Sequence, residues 1–128
     1  MSELPPETIL VGISMGSAIA QALARRRPEA RGALLLHAAP DKADDDPAWP
    51  ASVPVEIHAA EDDPYFTRAG ADALLAEAAD SRLVLYPGSG HTFADPEIDE
   101  DYDPVQAPIL IGNVIEFIAA KTGDDLTE

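Results

Sequence analysis

Along the chain, short apolar runs rich in β-formers alternate with stretches of helical spacing, a pattern that predicts parallel βαβ architecture. The runs are Thr8 to Gly12, Ala33 to Leu36, Val53 to His58 and Leu83 to Tyr86. After the first, Gly16 to Arg27 is rich in Ala, Leu and Arg, and Pro28 lies just beyond, so a helix is expected to end there. Thr67 can cap a second helix that runs to about Ala79, with Ala69, Ala73, Leu74 and Glu77 at helical spacing. A third is expected from about Ala107 to Ala120, with Pro108 tolerated in its first turn, an apolar face of Leu110, Val114, Phe117 and Ile118, and Gly123 after its end.

Between these elements, Ala39 to Ser52 and Asp95 to Asp103 read as polar loops, and Trp49 is the only large apolar side chain of the first loop. No internal repeat or long linker divides the chain, so its 128 residues are expected to form a single domain, 1–128. Parallel crossovers are right-handed. A sequential sheet of about four strands therefore puts the connections between strands on one face and leaves the last helix to cover the other. The expected fold class is α/β, with helices on both faces.

Charge narrows the partners. Eight basic residues against twenty-four acidic ones give a formal charge of −16, a field that repels nucleic-acid phosphates and anionic membrane surfaces. No run approaches the roughly 20 apolar residues that a spanning helix needs. The amino terminus, MSELPPETIL, has no basic flank, apolar core or cleavage site of a secretory signal, which makes the cytoplasm the expected location. The acidity reads as a solvated surface. The Asp clusters at 44–46 and 99–103, with six Arg and only Lys42 and Lys121 to balance them, also suit a high-salt habitat. Absence of cysteine excludes disulfides, thiolate nucleophiles and cysteine metal sites.

Gly12-Ile13-Ser14-Met15-Gly16 matches G-x-S-x-G, in which small residues permit a strained turn that lifts a serine hydroxyl clear of a sheet. By chance alone the pattern occurs in roughly a few per cent of chains of this length. Here it follows Thr8-Ile9-Leu10-Val11 and opens the helix at Gly16, the strand-turn-helix setting that the strain requires. Such a serine needs a base that takes its proton near neutral pH. His37 and His58 end apolar strands and read as structural. His91 lies in Pro87-Gly88-Ser89-Gly90-His91-Thr92-Phe93, directly after the fourth strand, in a loop at the same sheet end as Ser14. The third member is a carboxylate that fixes the imidazole tautomer. Glu61-Asp62-Asp63-Pro64 follows the third strand at that end; Asp63 is the choice because Pro64 pins the turn behind it, with adjacent Asp62 as the alternative. The chain order Ser, Asp, His is that of α/β-hydrolases.

These residues resemble the dienelactone hydrolase family of α/β-hydrolases. The resemblance rests on GISMGSAIAQALARRRPEARGALLLHAAP, PVEIHAAEDDPYF, LVLYPGSGHTF and YDPVQAPILIGNVIEFI, which in this order cover nearly the whole chain. It implies Ser14 as nucleophile, His91 as base and acid, Asp63 as orienting carboxylate, an oxyanion donor at the Met15 backbone N–H, an ester or lactone substrate, and no cofactor. Serine in the elbow, where members that open dienelactone typically have cysteine, points to broader esterase chemistry. Those members bind a substrate carboxylate with basic side chains, one of them shortly after G-H-x-F, where this chain has Ala94-Asp95.

Family members also place several strands, a helix and the loop with the second oxyanion donor before the elbow. The chain is thus expected to be a partial α/β-hydrolase fold, its C-terminal catalytic part. Strand 8–12 is then an apolar edge expected to pair with a second copy or with a partner chain. The alternative to an active hydrolase is a non-catalytic or split-subunit remnant.

Overall fold

A computed structural model describes residue 5 and residues 7–122. Four strands, β1 (Ile9–Ile13), β2 (Gly32–Leu36), β3 (Val55–Ala60) and β4 (Ser81–Tyr86), form one sheet in the order β1-β2-β3-β4. Every pairing is parallel, with Ile13 beside Leu36, Leu36 beside His58, and Ala60 beside Tyr86. Three helices accompany it: α1 (Gly16–Arg25), α2 (Arg68–Glu77) and α3 (Gln106–Thr122). The α/β class and four parallel strands are those expected from the hydrophobic pattern.

Strand alternation divides the core in two. Leu10, Ala33, Leu35, Val55 and Ile57 join Ala20, Ala24, Ala71 and Leu74 of α1 and α2 in the larger cluster. Ala60, Tyr86 and Phe93 pack with Leu110 of α3 in the smaller one. All five residues of β2 are buried, as befits a central strand covered on both faces. On β1, Val11 and Ile13 are exposed, and the strand pairs only with β2 among the described residues.

Boundaries moved where local chemistry overrode pattern. Expected from Val53 to His58, the third strand instead begins after Pro54, which has no N–H for a ladder, and continues through Ala59 and Ala60, which pair with Leu85 and Tyr86. α1 stops at Arg25, two residues short of the expected end. Thr67 occupies the cap of α2 but its side chain makes no capping bond. Gly123, expected to follow the last helix, lies outside the described residues.

Trp49 of the first polar loop belongs to the larger core cluster. It is buried, its indole N–H donates to the Val53 carbonyl at 2.8 Å, and the Arg25 guanidinium lies 5.5 Å from its ring centroid. Arg25 in turn donates to both carboxylate oxygens of Glu77 at 2.8 Å and to the Pro47 carbonyl at 3.0 Å. These bonds tie the 37–53 loop to α1 and α2, and Gln21 Nε2 donates to the Pro40 carbonyl at 2.9 Å near the sheet end where Ser14 emerges.

Candidate active site

Ser14 stands on the turn from β1 to α1 with φ of 54°, in the left-handed region that a non-glycine residue adopts only under constraint. Two bonds impose it: Ser14 N–H donates to the Leu36 carbonyl at 2.8 Å, and Ser17 N–H donates to the Ser14 carbonyl at 3.0 Å. The sharp turn requires a close approach at Gly12. A Cβ there would meet the Gly16 carbonyl oxygen and the Ser17 Cα, both at 2.6 Å. Gly16 has open space around it. The first glycine of the motif is thus enforced by contact, the second is not.

From the loop after β4, His91 reaches across the carboxyl end of the sheet. Its Nε2 lies 2.6 Å from Ser14 Oγ and its Nδ1 2.6 Å from Asp63 Oδ2. With Nδ1–H donating to the carboxylate, Nε2 presents its lone pair to the Ser14 hydroxyl. Asp63 has a side chain fully shielded from solvent, and its other oxygen, Oδ1, accepts the Tyr65 N–H at 2.8 Å. Asp62 is exposed and its N–H is bonded to the Gly88 carbonyl. Of the two adjacent acids, the fold brings Asp63 to His91.

The His91 loop is braced by an acidic residue from a cluster that sequence pattern read as solvated. Asp101 Oδ2 accepts from the Thr92 hydroxyl at 2.9 Å, and a Cβ at Gly90 would meet the Asp101 carbonyl oxygen. Asp103 Oδ1 accepts from Val105 N–H and Gln106 N–H, capping α3. The fourth expected site residue, Met15, leads into α1; its N–H makes no hydrogen bond within the described residues, and its side chain is 89% exposed.

The hydroxyl opens into a cleft of about 680 Å³ whose walls include Met15, Pro40, Tyr65 and Thr67 beside Ser14 and His91. Tyr65, exposed, has its ring 5.3 Å from that of His91. Neither Trp49 nor Phe93 lines this cleft; both belong to the core.

The other two histidines are buried. His58 Nδ1 pairs with the Tyr86 hydroxyl and Nε2 with Glu56 Oε1, each at 2.8 Å, and burial holds its pKa below the usual histidine value. His37 has φ of 71°, and among the described residues its Nδ1 has no hydrogen-bond partner. Burial first, then the neighbouring His91, lower its pKa to about 4. Nothing in the amino-acid pattern signalled this unpaired nitrogen or the left-handed backbone that goes with it at the end of β2.

A parallel α/β sheet with a serine raised on the turn after a strand, and loops converging on it from the same end, defines the α/β-hydrolase class. The model of the dienelactone hydrolase family matches residues 2–121, and the chain belongs to that family. No curated protein matches it. Among solved structures, it is similar to a dienelactone hydrolase candidate from Klebsiella pneumoniae subsp. pneumoniae MGH 78578, with a TM-score of 0.66 and 19% identity over 87% of this chain. It is also similar to the dienelactone hydrolase-like promiscuous phosphotriesterase P91 from metagenomic libraries, with a TM-score of 0.74 and 18% identity over 88% of this chain. The alignments cover 51% of each of those chains, so this chain spans about half their length. Among the described residues, no helix is long and apolar enough to cross a membrane.

Proposed function

We propose that this chain carries the catalytic centre of a serine hydrolase that cleaves carboxylic esters or lactones through an acyl-enzyme. The observation that carries the reading is the continuous bonding of Ser14, His91 and Asp63, 2.6 Å at each link. His91 Nε2 takes the Ser14 proton as Oγ attacks the acyl carbon, and the Met15 N–H steadies the oxyanion. The imidazolium, held by Asp63, returns the proton to the departing alkoxide. Water then attacks the acyl-enzyme with His91 as base, releasing the acid and freeing Ser14. These steps call on side chains, one backbone donor and water, and no cofactor.

Val11 and Ile13, exposed on β1, whose outer edge pairs with no strand among the described residues, favour a second reading in which the centre is one half of a split site. A further polypeptide then lies along that edge and supplies the second oxyanion donor. Loss of one such donor costs on the order of 10²–10³ in turnover.

The test is intact mass after treatment with a serine-reactive phosphonate, for the full chain and for Ser14→Ala. One adduct, absent from the variant, is expected. No adduct on folded protein would overturn the hydrolase reading for the chain alone and favour the split site. Substrate profiling of a labelled protein should include phosphotriesters beside short esters, given the activity named for P91.

A further inference from the structure

Beside the Ser14 cleft, a depression of about 450 Å³ runs along α1. Ile19, Ala22 and Leu23 of the helix form one wall, and Asp41, Ala43 and Asp46 of the 37–53 loop form the other. The two hollows meet on both walls: Ala18 lines each of them, and Pro40 of the cleft adjoins Asp41 of the depression. Buried Gln21 ties the walls together through its bond to the Pro40 carbonyl, and Arg26 ties them further along, 2.8 Å from Asp46 Oδ1. Among the described residues, none of β1 lines either hollow, so the groove they form stands apart from the strand edge proposed to take a further polypeptide.

Ala18, Ala22 and Arg26 are spaced by four, which sets them in one row along α1 and spans about 12 Å at a rise of about 1.5 Å per residue. Large apolar side chains stay uncovered beside the groove, Met15 at 89% exposure in the cleft and Ile19 at 63% in the depression. Arg26, the only Lys or Arg of either lining among the described residues, is engaged by Asp46 and donates to the Ala22 carbonyl at 2.8 Å. An anionic group thus finds no free cation there, and the charge of −16 repels it.

We propose that the centre acts on an uncharged ester with a linear aliphatic acyl chain, laid from Ser14 over Ala18 toward Ala22 and Leu23; this rests on Ser14 being the nucleophile of an ester hydrolase. The direction of the chain follows from the proton. The departing oxygen receives it from His91, so the alcohol portion lies on the side of His91 and Tyr65, and the acyl chain takes the side of α1. An octanoyl chain is long enough to pass Ala18, whereas a butanoyl chain ends in the cleft. Each methylene gains about fourfold in affinity when fully buried, and an open groove realises part of that.

Titrating methyl octanoate and methyl butanoate into the full chain carrying Ser14→Ala tests the groove without turnover, with the methyl resonances of Ala18, Ala22, Leu23 and Val11 followed by NMR. Methyl octanoate is expected to give saturable shifts at Ala18, Ala22 and Leu23 with Val11 unmoved. Methyl butanoate should confine its shifts to Ala18 and bind roughly tenfold more weakly. Adding Ala22→Trp, which fills the groove, should remove that preference. Equal affinities, octanoate shifts confined to Ala18 or centred on Val11, or no saturable change up to the solubility of the octanoate would each overturn the proposal. So would Leu23 shifts that appear with protein concentration alone, the sign of a second copy seated on the groove. The Ser14→Ala titration decides the matter even where Ala22→Trp fails to fold. Failed phosphonate labelling of the wild-type chain with these shifts present would overturn the hydrolase reading alone, and labelling without the shifts would overturn the groove alone.

Discussion

Ser14 and His37 stand at the carboxyl ends of adjacent strands, and both hold a left-handed backbone, with φ of 54° and 71°. Each is locked by an N–H bonded to the neighbouring strand, Ser14 to the Leu36 carbonyl and His37 to the His58 carbonyl. Such strain persists only where surrounding structure over-determines it. Here the sheet itself supplies the constraint, because each bond extends the parallel ladder one step past the strand's end.

The elbow glycines should therefore respond in opposite ways to the same substitution. Gly12→Ala drives a methyl into backbone atoms at 2.6 Å and is expected to cost about 1–3 kcal/mol in urea unfolding. Gly16→Ala meets open space at the start of α1 and should stabilise by about 0.5 kcal/mol. Phosphonate labelling of Ser14 should survive only the second change. Equal effects at both positions would mean that the turn is not held as described.

The two acids after β3 separate just as cleanly. Asp63→Asn removes the acceptor of the His91 Nδ1 proton and favours the wrong imidazole tautomer, so turnover in the proposed ester hydrolysis should fall roughly 10³–10⁴-fold with little change in melting temperature. Asp62→Asn changes an exposed side chain and should leave turnover within about twofold. Steady-state kinetics of the pair reads the assignment directly. A larger loss at Asp62 would reverse it.

Much of this architecture was legible because parallel strands buried on both faces advertise themselves as apolar runs, and the G-x-S-x-G turn needs the strand and helix that flank it. What pattern reasoning could not reach was contact. Pro64 favours Asp63 over its neighbour Asp62 in the sequence, but only the folded turn shows that carboxylate against His91. Arg25 reads as the charged end of a surface helix in the run Arg25-Arg26-Arg27, yet its side chain is 1% exposed because Glu77, 52 residues away, meets it. Asp101 and Asp103 look like solvated charge, yet one braces the His91 loop and the other caps α3. Each of these depends on a long-range or loop-borne partner that hydropathy does not encode.

Arg25 and Glu77 form a bidentate pair that also holds Trp49 N–H at 2.7 Å from Glu77 Oε2. Removing Glu77 strands the buried Arg25 guanidinium, so Glu77→Leu is expected to destabilise by about 3–5 kcal/mol. Adding Arg25→Met should recover part of that loss, since an apolar pair of similar volume needs no desolvation offset. Chemical denaturation of the single and double variants provides the cycle. Additive losses would place the energy elsewhere in the loop.

Acid should destabilise the fold through its buried histidines. The His37 pKa lies near 4 when folded and near 6.5 when unfolded, so the unfolded chain binds the extra proton between those values. The stabilising contribution is complete above about pH 6.5 and is lost as pH falls toward 4, by roughly 3 kcal/mol in all. His58, whose pKa is also lowered by burial, acts in the same direction. His37→Phe should flatten the pH dependence of unfolding over this window without abolishing it. A slope identical to wild type would show that His37 is protonated in the folded state.

Salt acts on the remaining electrostatics, and the sign follows from the charge balance. Sixteen uncompensated negative charges repel one another across a 13.5 kDa chain, and at molar ionic strength the screening length falls to about 3 Å. The attractive pair most protected from that screening, Arg25 with Glu77, is also the most buried, whereas Arg68 with Asp72 and Arg31 with Glu7 are exposed and contribute little at any salt. Screening thus removes more repulsion than attraction, and the melting temperature should rise between 0.1 and about 2 M sodium chloride. Equal melting temperatures across that range would mean that the acidic surface is already accommodated by its local bonds, as Asp101 and Asp103 are. A fall would mean that exposed pairs matter more than their geometry implies.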